Sequence, residues 1–373
     1  MVINLCSSVT EYESLSHVYR SEDGPDGYLI NLLEKGPQYY IDGFNSEFKL
    51  LVVNDKIIPI VINQGKDKSS YLSALSVHYI KHGIDSVKEK VKSRLLYGSL
   101  QCLGIILNAL LNLVRINKAV YVNCWIIPTG ASVYLNNEEL LNIREFFQGA
   151  YKSYAIIFKG VNNYLHFEGM SLPNSNCLTN RIVYAVDMDE EFLKKSDIKK
   201  AIKANAKTTY LLTQGDQLKS IDMVTIRHLY NQLYFGKHSK YSLPYNQQWF
   251  EMIRALPFFK LQAFKNSDQE VVAFTVTFLD NGSIISSLGA CKQNTADYFH
   301  LYTLNFAIRV LDAKTQHKNL NYSSGGDEFK KNRGGIARAE YDLIYFDHLS
   351  LIKKSIWRFF ISICNKTIMY LNK

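Results

Sequence analysis

Apolar and polar positions alternate in two separate stretches of the chain. Between residues 48 and 72 the β-rich runs 48–54, 56–63 and 70–72 are divided by Asn-Asp and Gln-Gly turn signals, which predicts an antiparallel meander. Three further runs, 258–266, 270–279 and 283–290, meet at Asn266-Ser267-Asp268 and Asp280-Asn281-Gly282, and Asn-Gly is a strong hairpin signal. Helical spacing takes over around each set. The first half predicts helices over 85–116 and 137–151 and strands at 119–127 and 154–159. The second predicts helices over 221–236, 246–256 and 296–317, then strands at 319–323 and 340–346. The two halves therefore share an element order. The polar, turn-rich segment 171–180 is the expected boundary between them.

Two stretches carry a membrane question. The run 95–116 is strongly apolar but interrupted by Gln101, Asn108, Asn112 and Arg115, so its unbroken pieces fall short of the ~20 residues of a spanning helix. A buried core helix is expected. After Leu349, the residues Ile352, Ile356, Phe359, Phe360 and Ile363 alternate with Lys353, Lys354, Arg358 and Lys366. That basic amphipathic pattern suits either a membrane surface or a helix packed on its own domain.

The chain has 373 residues, long for one core and comfortable for two. A hydrophobic share of 47% with 21% charged residues excludes wholesale disorder. Lys and Arg exceed Asp and Glu by 43 to 34, a formal charge of +9 that favours anionic partners. The helical stretch 194–207 places Lys195, Lys199 and Lys203 on one face, as a solvated surface or a phosphate contact. Six scattered cysteines with no CxxC predict reduced thiols and no metal site. The N-terminus lacks a basic lead and an adequate apolar core, so a cytoplasmic location is expected, peripheral to the inner membrane face if the tail touches lipid.

Candidate chemistry concentrates in Asn321-Tyr-Ser-Ser-Gly-Gly-Asp-Glu-Phe-Lys-Lys-Asn-Arg-Gly-Gly335. Glycine pairs let backbone approach a ligand, and the cations Lys330, Lys331 and Arg333 follow at once. Asp327 and Glu328 are the nearest carboxylates for accepting a proton, and Lys330 is placed to neutralise a phosphate or an oxyanion. Each has a plainer alternative: helix capping, a surface ion pair, a solvated lysine.

The order helix, helix, three antiparallel strands, helix, strand, Gly-Gly-Asp-Glu-Phe-Lys and a last strand Tyr341-Asp-Leu-Ile-Tyr resembles the GNAT-type acyltransferases, specifically their FemAB-like and CelD-like branch. Branch members carry a segment near Phe-Asp-Phe-x-x-Gly-Asp-Glu-x-Tyr-Lys-x-x-Trp-Gly; here Gly326-Asp-Glu, Phe329-Lys330 and Gly334 match it. The match covers 221–346, and the first half is a second, degenerate copy by element order alone. The resemblance implies an α+β fold (mixed α/β) of tandem GNAT-like domains, each a mostly antiparallel sheet flanked by helices. Domains are expected at 1–180 and 181–349, with a C-terminal helix at 350–373.

The resemblance further implies an acyltransferase moving an acyl group, acetyl first among them, from acyl-CoA to an amine of a sugar, amino acid or cell-envelope precursor. Lys330, Glu328 and Asp327 would be catalytic. Gly325, Gly326, Lys331, Arg333 and His300 would hold the donor, and Tyr241, Tyr245, Trp249 and Tyr298 the acceptor. One departure stands out: where GNAT enzymes have a glycine-rich pyrophosphate loop, this chain reads Ala290-Cys-Lys-Gln-Asn-Thr-Ala-Asp297. An aminoacyl-tRNA donor of the FemAB kind, or a binding module without chemistry, are the alternatives.

Overall fold

A computed structural model describes residues 2–15, 24–86, 91, 93–131, 133–161, 176–280 and 282–371. The first half runs β1 (Ile3–Cys6), α1 (Val9–Glu13), α2 (Asp26–Lys35), β2 (Glu47–Val53), β3 (Lys56–Gln64), α3 (Gly83–Ser86), α4 (Arg94–Leu113), β4 (Lys118–Val122), α5 (Asn137–Ala150), β5 (Ala155–Val161) and β6 (Asn176–Val186). Then come α6 (Glu190–Lys194), α7 (Ser196–Lys207), β7 (Leu211–Gln214), α8 (Ser220–Asn231), α9 (Gln247–Ala255), β8 (Lys260–Lys265), β9 (Val271–Asp280) and β10 (Ser283–Cys291). The chain closes with α10 (Tyr298–Thr315), β11 (Asn319–Asn321), α11 (Asp327–Asn332), β12 (Ile336–Tyr345) and α12 (Leu351–Leu371).

The strands form one sheet in the order β1-β2-β3-β4-β5-β12-β6-β11-β10-β9-β8-β7. Neighbours are antiparallel except β4 with β5 and β10 with β11. The fold is mixed α/β with a mostly antiparallel central sheet flanked by helices, as expected. Each half repeats strand, two helices, three strands, helix, strand. In the first copy the second hairpin is replaced by residues 65–117, which carry α3 and α4. The last strands are exchanged: β6 pairs with β11 of the second copy, and β12 pairs with β5 of the first. Pulling the copies apart would bare strand edges on both.

Local chemistry explains the elements. Asn136 caps α5 in a reciprocal box with Glu139, whose carboxylate also takes Lys56 at 2.7 Å. Asn246 caps α9, and the apolar stripe Trp249, Phe250, Ile253 faces the core. The strand expected at 119–127 stops at Val122, because Asn123 turns to φ 61°. The run 70–72 forms turns rather than a strand, with the Leu72 amide donating to the buried Ser70 hydroxyl oxygen. The turn residue Asn281 and the first half of the segment 171–180 lie outside the described residues; the segment's second half opens β6.

The expectation of a buried core helix at 95–116 is corrected. Only Gly104 and Leu111 of α4 are buried, while Leu95, Leu103, Ile105, Ile106, Leu110 and Leu113 are exposed. Lack of charge marked this helix as apolar, but burial depends on what else packs there. By contrast α12 does pack on its own domain: Trp357 stacks on Phe346, and Phe360 and Cys364 are buried.

Candidate functional site

The exchanged strands meet under a cleft of about 2080 Å³ between the copies. Three β-bulges shape its floor. In β12 against β5 the register shifts between Tyr341 and Leu343, and in β12 against β6 between Glu340 and Tyr341. In β10 the shift falls between Ser286 and Leu288, at Ser287. A bulge redirects side chains that regular pleating would send elsewhere.

A polar network occupies this floor. Asp342, with no exposed surface, accepts from Lys159 Nζ (2.9 Å), Tyr79 hydroxyl (3.0 Å) and Asn180 Nδ2 (2.8 Å). Beside it Arg181 Nε donates to Glu340 at 2.6 Å and another guanidinium nitrogen donates to the Pro128 carbonyl. Thr129 and Ser323 share a hydroxyl hydrogen bond of 2.5 Å, and the Ser287 hydroxyl donates to the Thr129 carbonyl at 3.4 Å. Loops from the two copies are thereby tied at one point.

The glycine segment is part of the wall. Ser323, Ser324, Gly325, Gly326, Asp327, Glu328 and Lys331 line the cleft. Ser323, Gly325 and Gly326 hold φ of 62°, 78° and 63°, a left-handed path that favours glycine. Lys330 is what fixes it. Its ammonium is turned inward and donates to the carbonyls of Tyr322 (2.7 Å), Ser323 (3.1 Å) and Ser324 (2.7 Å). Burial pushes that ammonium down to about 7, and Arg309 nearby adds to the depression.

This corrects the catalytic role expected of Lys330. Its nitrogen lies against three carbonyls of its own turn, so it clamps that turn and does not line the cleft. Arg333 is likewise turned aside, stacked 3.5 Å over the Phe329 ring. Tyr245 and Trp249, expected to shape the acceptor pocket, are core residues stacked at 3.9 Å; the Tyr245 hydroxyl donates to the Ile126 carbonyl. Trp249 lies on the amphipathic α9, and Tyr245, just before its cap, forms an isolated bridge with Ile41. Tyr241 sits between Lys81 and Lys240, each 5.3 Å from its ring. Tyr298 stacks on Tyr302, and His300 lies 6.1 Å from Tyr210 at the start of α10. None of these three lines the cleft.

Two histidines that the sequence reading passed over do line it. His78 and His82 lie on a π-helical turn, Val77–His82, and a second such turn, Gln232–His238, also borders the cleft. Such turns recur at functional sites. Tyr71 stacks on His82 at 4.7 Å. Burial holds His78 well below its usual value, with the Lys159 ammonium and His82 contributing, and pushes His82 down to about 4. Both rings are neutral at pH 7, and Nδ1 of each has no hydrogen-bond partner. Their four-residue spacing was the available signal.

At the start of α10 the Asp297 carboxylate takes the Tyr210 hydroxyl at 2.8 Å. A carboxylate at this helix N-terminus repels a pyrophosphate that such a terminus otherwise attracts. Among the described residues no group of three or more His, Cys, Asp or Glu could hold a metal ion.

No family model and no curated protein matches the chain. Solved structures share its path more loosely. A conserved protein of unknown function from Bacteroides thetaiotaomicron is similar over 92% of this chain and 100% of its own, at 10% identity and TM-score 0.49. FemX is similar over 82% and 89%, at 10% identity and TM-score 0.46. L-PGS from Bacillus licheniformis is similar over 59% and 77%, at 17% identity and TM-score 0.45. Likenesses this distant carry no argument about activity, substrate or donor.

Proposed function

We propose that the protein is an acyltransferase that moves an acyl group from an acyl-CoA onto an amine held in the central cleft. The observation that supports this most is the placement of a clamped, glycine-opened turn and a neutral histidine on the same cleft. In this reading His78 Nδ1 accepts the proton of the attacking amine. The C–N bond forms, the thioester C–S bond breaks, and the thiolate leaves to be protonated from water. The backbone at Gly325 and Gly326 admits the donor closely, while Arg181 supplies positive charge beside Glu340. The acceptor class is an amino sugar, an amino acid or an envelope precursor.

A second reading takes aminoacyl-tRNA as donor. It is favoured by Asp297 at the α10 terminus and by Lys195, whose Nζ lies 2.6 Å from where a β-carbon of Gly334 would sit. The basic face of α7 thus begins at the glycine segment.

Transfer of labelled acetyl from acetyl-CoA, and of a labelled amino acid from charged tRNA, to a panel of amines decides between them. Acetyl-CoA should raise the melting temperature by several degrees, since a ligand at ~100 times its dissociation constant adds ~2.7 kcal/mol. His78→Ala should lower turnover by ~10²–10⁴-fold with the fold intact. Failure of both donors to transfer label or shift melting would end the transferase reading.

A further inference from the structure

One wall of the cleft is apolar and open to water. Leu96, Leu100, Leu103 and Leu107 recur along one face of α4, and all four line the cleft. Leu96 and Leu103 are 53% and 60% exposed there. No charged residue occurs between Arg94 and Arg115. Ile80 and Ile84 line the cleft beside this face, close enough to Gly104 that a β-carbon on it would meet both. Apolar side chains left bare inside a concavity with a polar rim mark a binding groove. By helical rise the stripe from Leu96 to Leu107 is about 16 Å long, the reach of a chain of about a dozen carbons.

The rim beside it is cationic. Lys237 and Lys240 are exposed and line the cleft. Lys240 shares the Tyr241 ring with Lys81, each ammonium 5.3 Å from its centroid. Burial, and then the charges of Lys68 and Lys240, push the Lys81 ammonium down. None of Lys68, Lys81, Lys237 and Lys240 forms an ion pair with a described carboxylate. Asp85, next to Ile84 in the chain, accepts from the Ser239 hydroxyl at 2.9 Å. That bond ties the segment carrying Lys237 and Lys240 to the helix carrying Ile84. One turn, Val77–His82, carries His78, Ile80 and Lys81 together.

We propose that the donor is a long-chain acyl-CoA, its hydrocarbon laid along the α4 stripe and a phosphate received by Lys237, Lys240 and Lys81. Such a molecule has an apolar chain on one side of its thioester and phosphates on the other. Groove, neutral histidine and unpaired cations are the three features this cleft brings together. Ammonium groups serve phosphate as point charges, and a hydrocarbon gains by leaving water for the leucines. The identity of the donor rests on the acyl-transfer reading, and the assignment goes beyond that reading in fixing a long chain.

Calorimetry with acetyl-, octanoyl-, decanoyl- and dodecanoyl-CoA, each below its critical micelle concentration, tests this. Each two-carbon step from octanoyl upward should tighten binding about tenfold. Leu96→Glu with Leu103→Glu should erase that gain and leave acetyl-CoA affinity unchanged. Lys237→Ala with Lys240→Ala should weaken every ester about fivefold, acetyl-CoA included, and keep the gain. All four positions are exposed, so both double variants should melt with the wild type. Ile106→Glu with Leu110→Glu, exposed positions of α4 that do not line the cleft, should change nothing.

Equal affinity for all chain lengths would overturn the assignment. So would a gain that survives Leu96→Glu with Leu103→Glu, or one lost in Ile106→Glu with Leu110→Glu. Dodecyl phosphate binding as tightly as dodecanoyl-CoA would overturn it too, by making the occupant a lipid phosphate. If acetyl-CoA binds and transfers while chain length adds nothing, the groove assignment falls and acyl transfer stands. If long-chain esters bind by these rules and no ester transfers, acyl transfer falls and the groove stands.

Discussion

The two copies of the strand order treat the gap beside their parallel strands in opposite ways. In the first copy the chain after β4 folds back over it: Trp125, Ile126 and Ile127 are buried, and the hydroxyls of Tyr28 and Tyr245 donate to the Trp125 and Ile126 carbonyls at 2.9 and 2.8 Å. In the second copy β10 pairs with β11 only over Ser283–Ile285, Ser287 at the β10 bulge lines the cleft, and the turn after β11 is clamped by Lys330. Duplication lets one copy supply a closed wall while the other presents polar groups on it. The exchange of β6 and β12 makes the arrangement a single body, so neither role can be removed without the other.

The sharpest way to break this comparison is Asp342→Ala. The residue lies on an exchanged strand and joins Lys159 of the first copy to Asn180 of β6. Stranding a buried lysine costs about 3–5 kcal/mol. Urea unfolding followed by near- and far-ultraviolet dichroism should show that loss in one transition for both copies. Two transitions would mean the copies are independent modules.

Lys330 offers the next test. Its folded-state value, down to about 7, lies below the 10.5 of an unfolded lysine. Between those values the unfolded chain holds the extra proton, so stability rises with pH, by at most ~1.4 kcal/mol per unit. Lys330→Met should flatten that slope between pH 7 and 10 and loosen the second copy's turn. A slope unchanged in the variant would assign it to other groups.

His82 gives the same kind of test on the acid side and reports on the first copy's face of the cleft. With its ring pushed down to about 4, the unfolded chain protonates first as pH falls from 6.5. Stability is present above 6.5 and is lost towards 4, again by at most ~1.4 kcal/mol per unit, and His82→Leu should blunt the loss. The smallest effect is expected for Thr129→Val, which unties the two loops at Ser323 and should cost ~1 kcal/mol by denaturant titration.

Much of the fold was legible from periodicity. The paired runs at β2 and β3 and at β8 to β10 emerged because one alternation and one turn suffice to define a hairpin. β1, β6 and β7 were missed, since each is short or polar and gains its identity from a partner far along the chain. The site was legible in part. Gly325, Gly326, Asp327, Glu328 and Lys331 do line the cleft, because backbone freedom is encoded locally by glycine. Lys330, Tyr245 and Trp249 were misjudged, because a side chain's direction is set by packing and not by its type.

By itself, then, the sequence determined the periods, the turns and the repeated order, all consequences of interactions between residues a few positions apart. Only the tertiary structure decided that the last strands change places, that α4 stays bare, and that His78, Asp342 and the glycine turn face one cleft. Those facts depend on pairings between residues up to 263 positions apart, as in the Tyr79–Asp342 hydrogen bond, and no local pattern contains them.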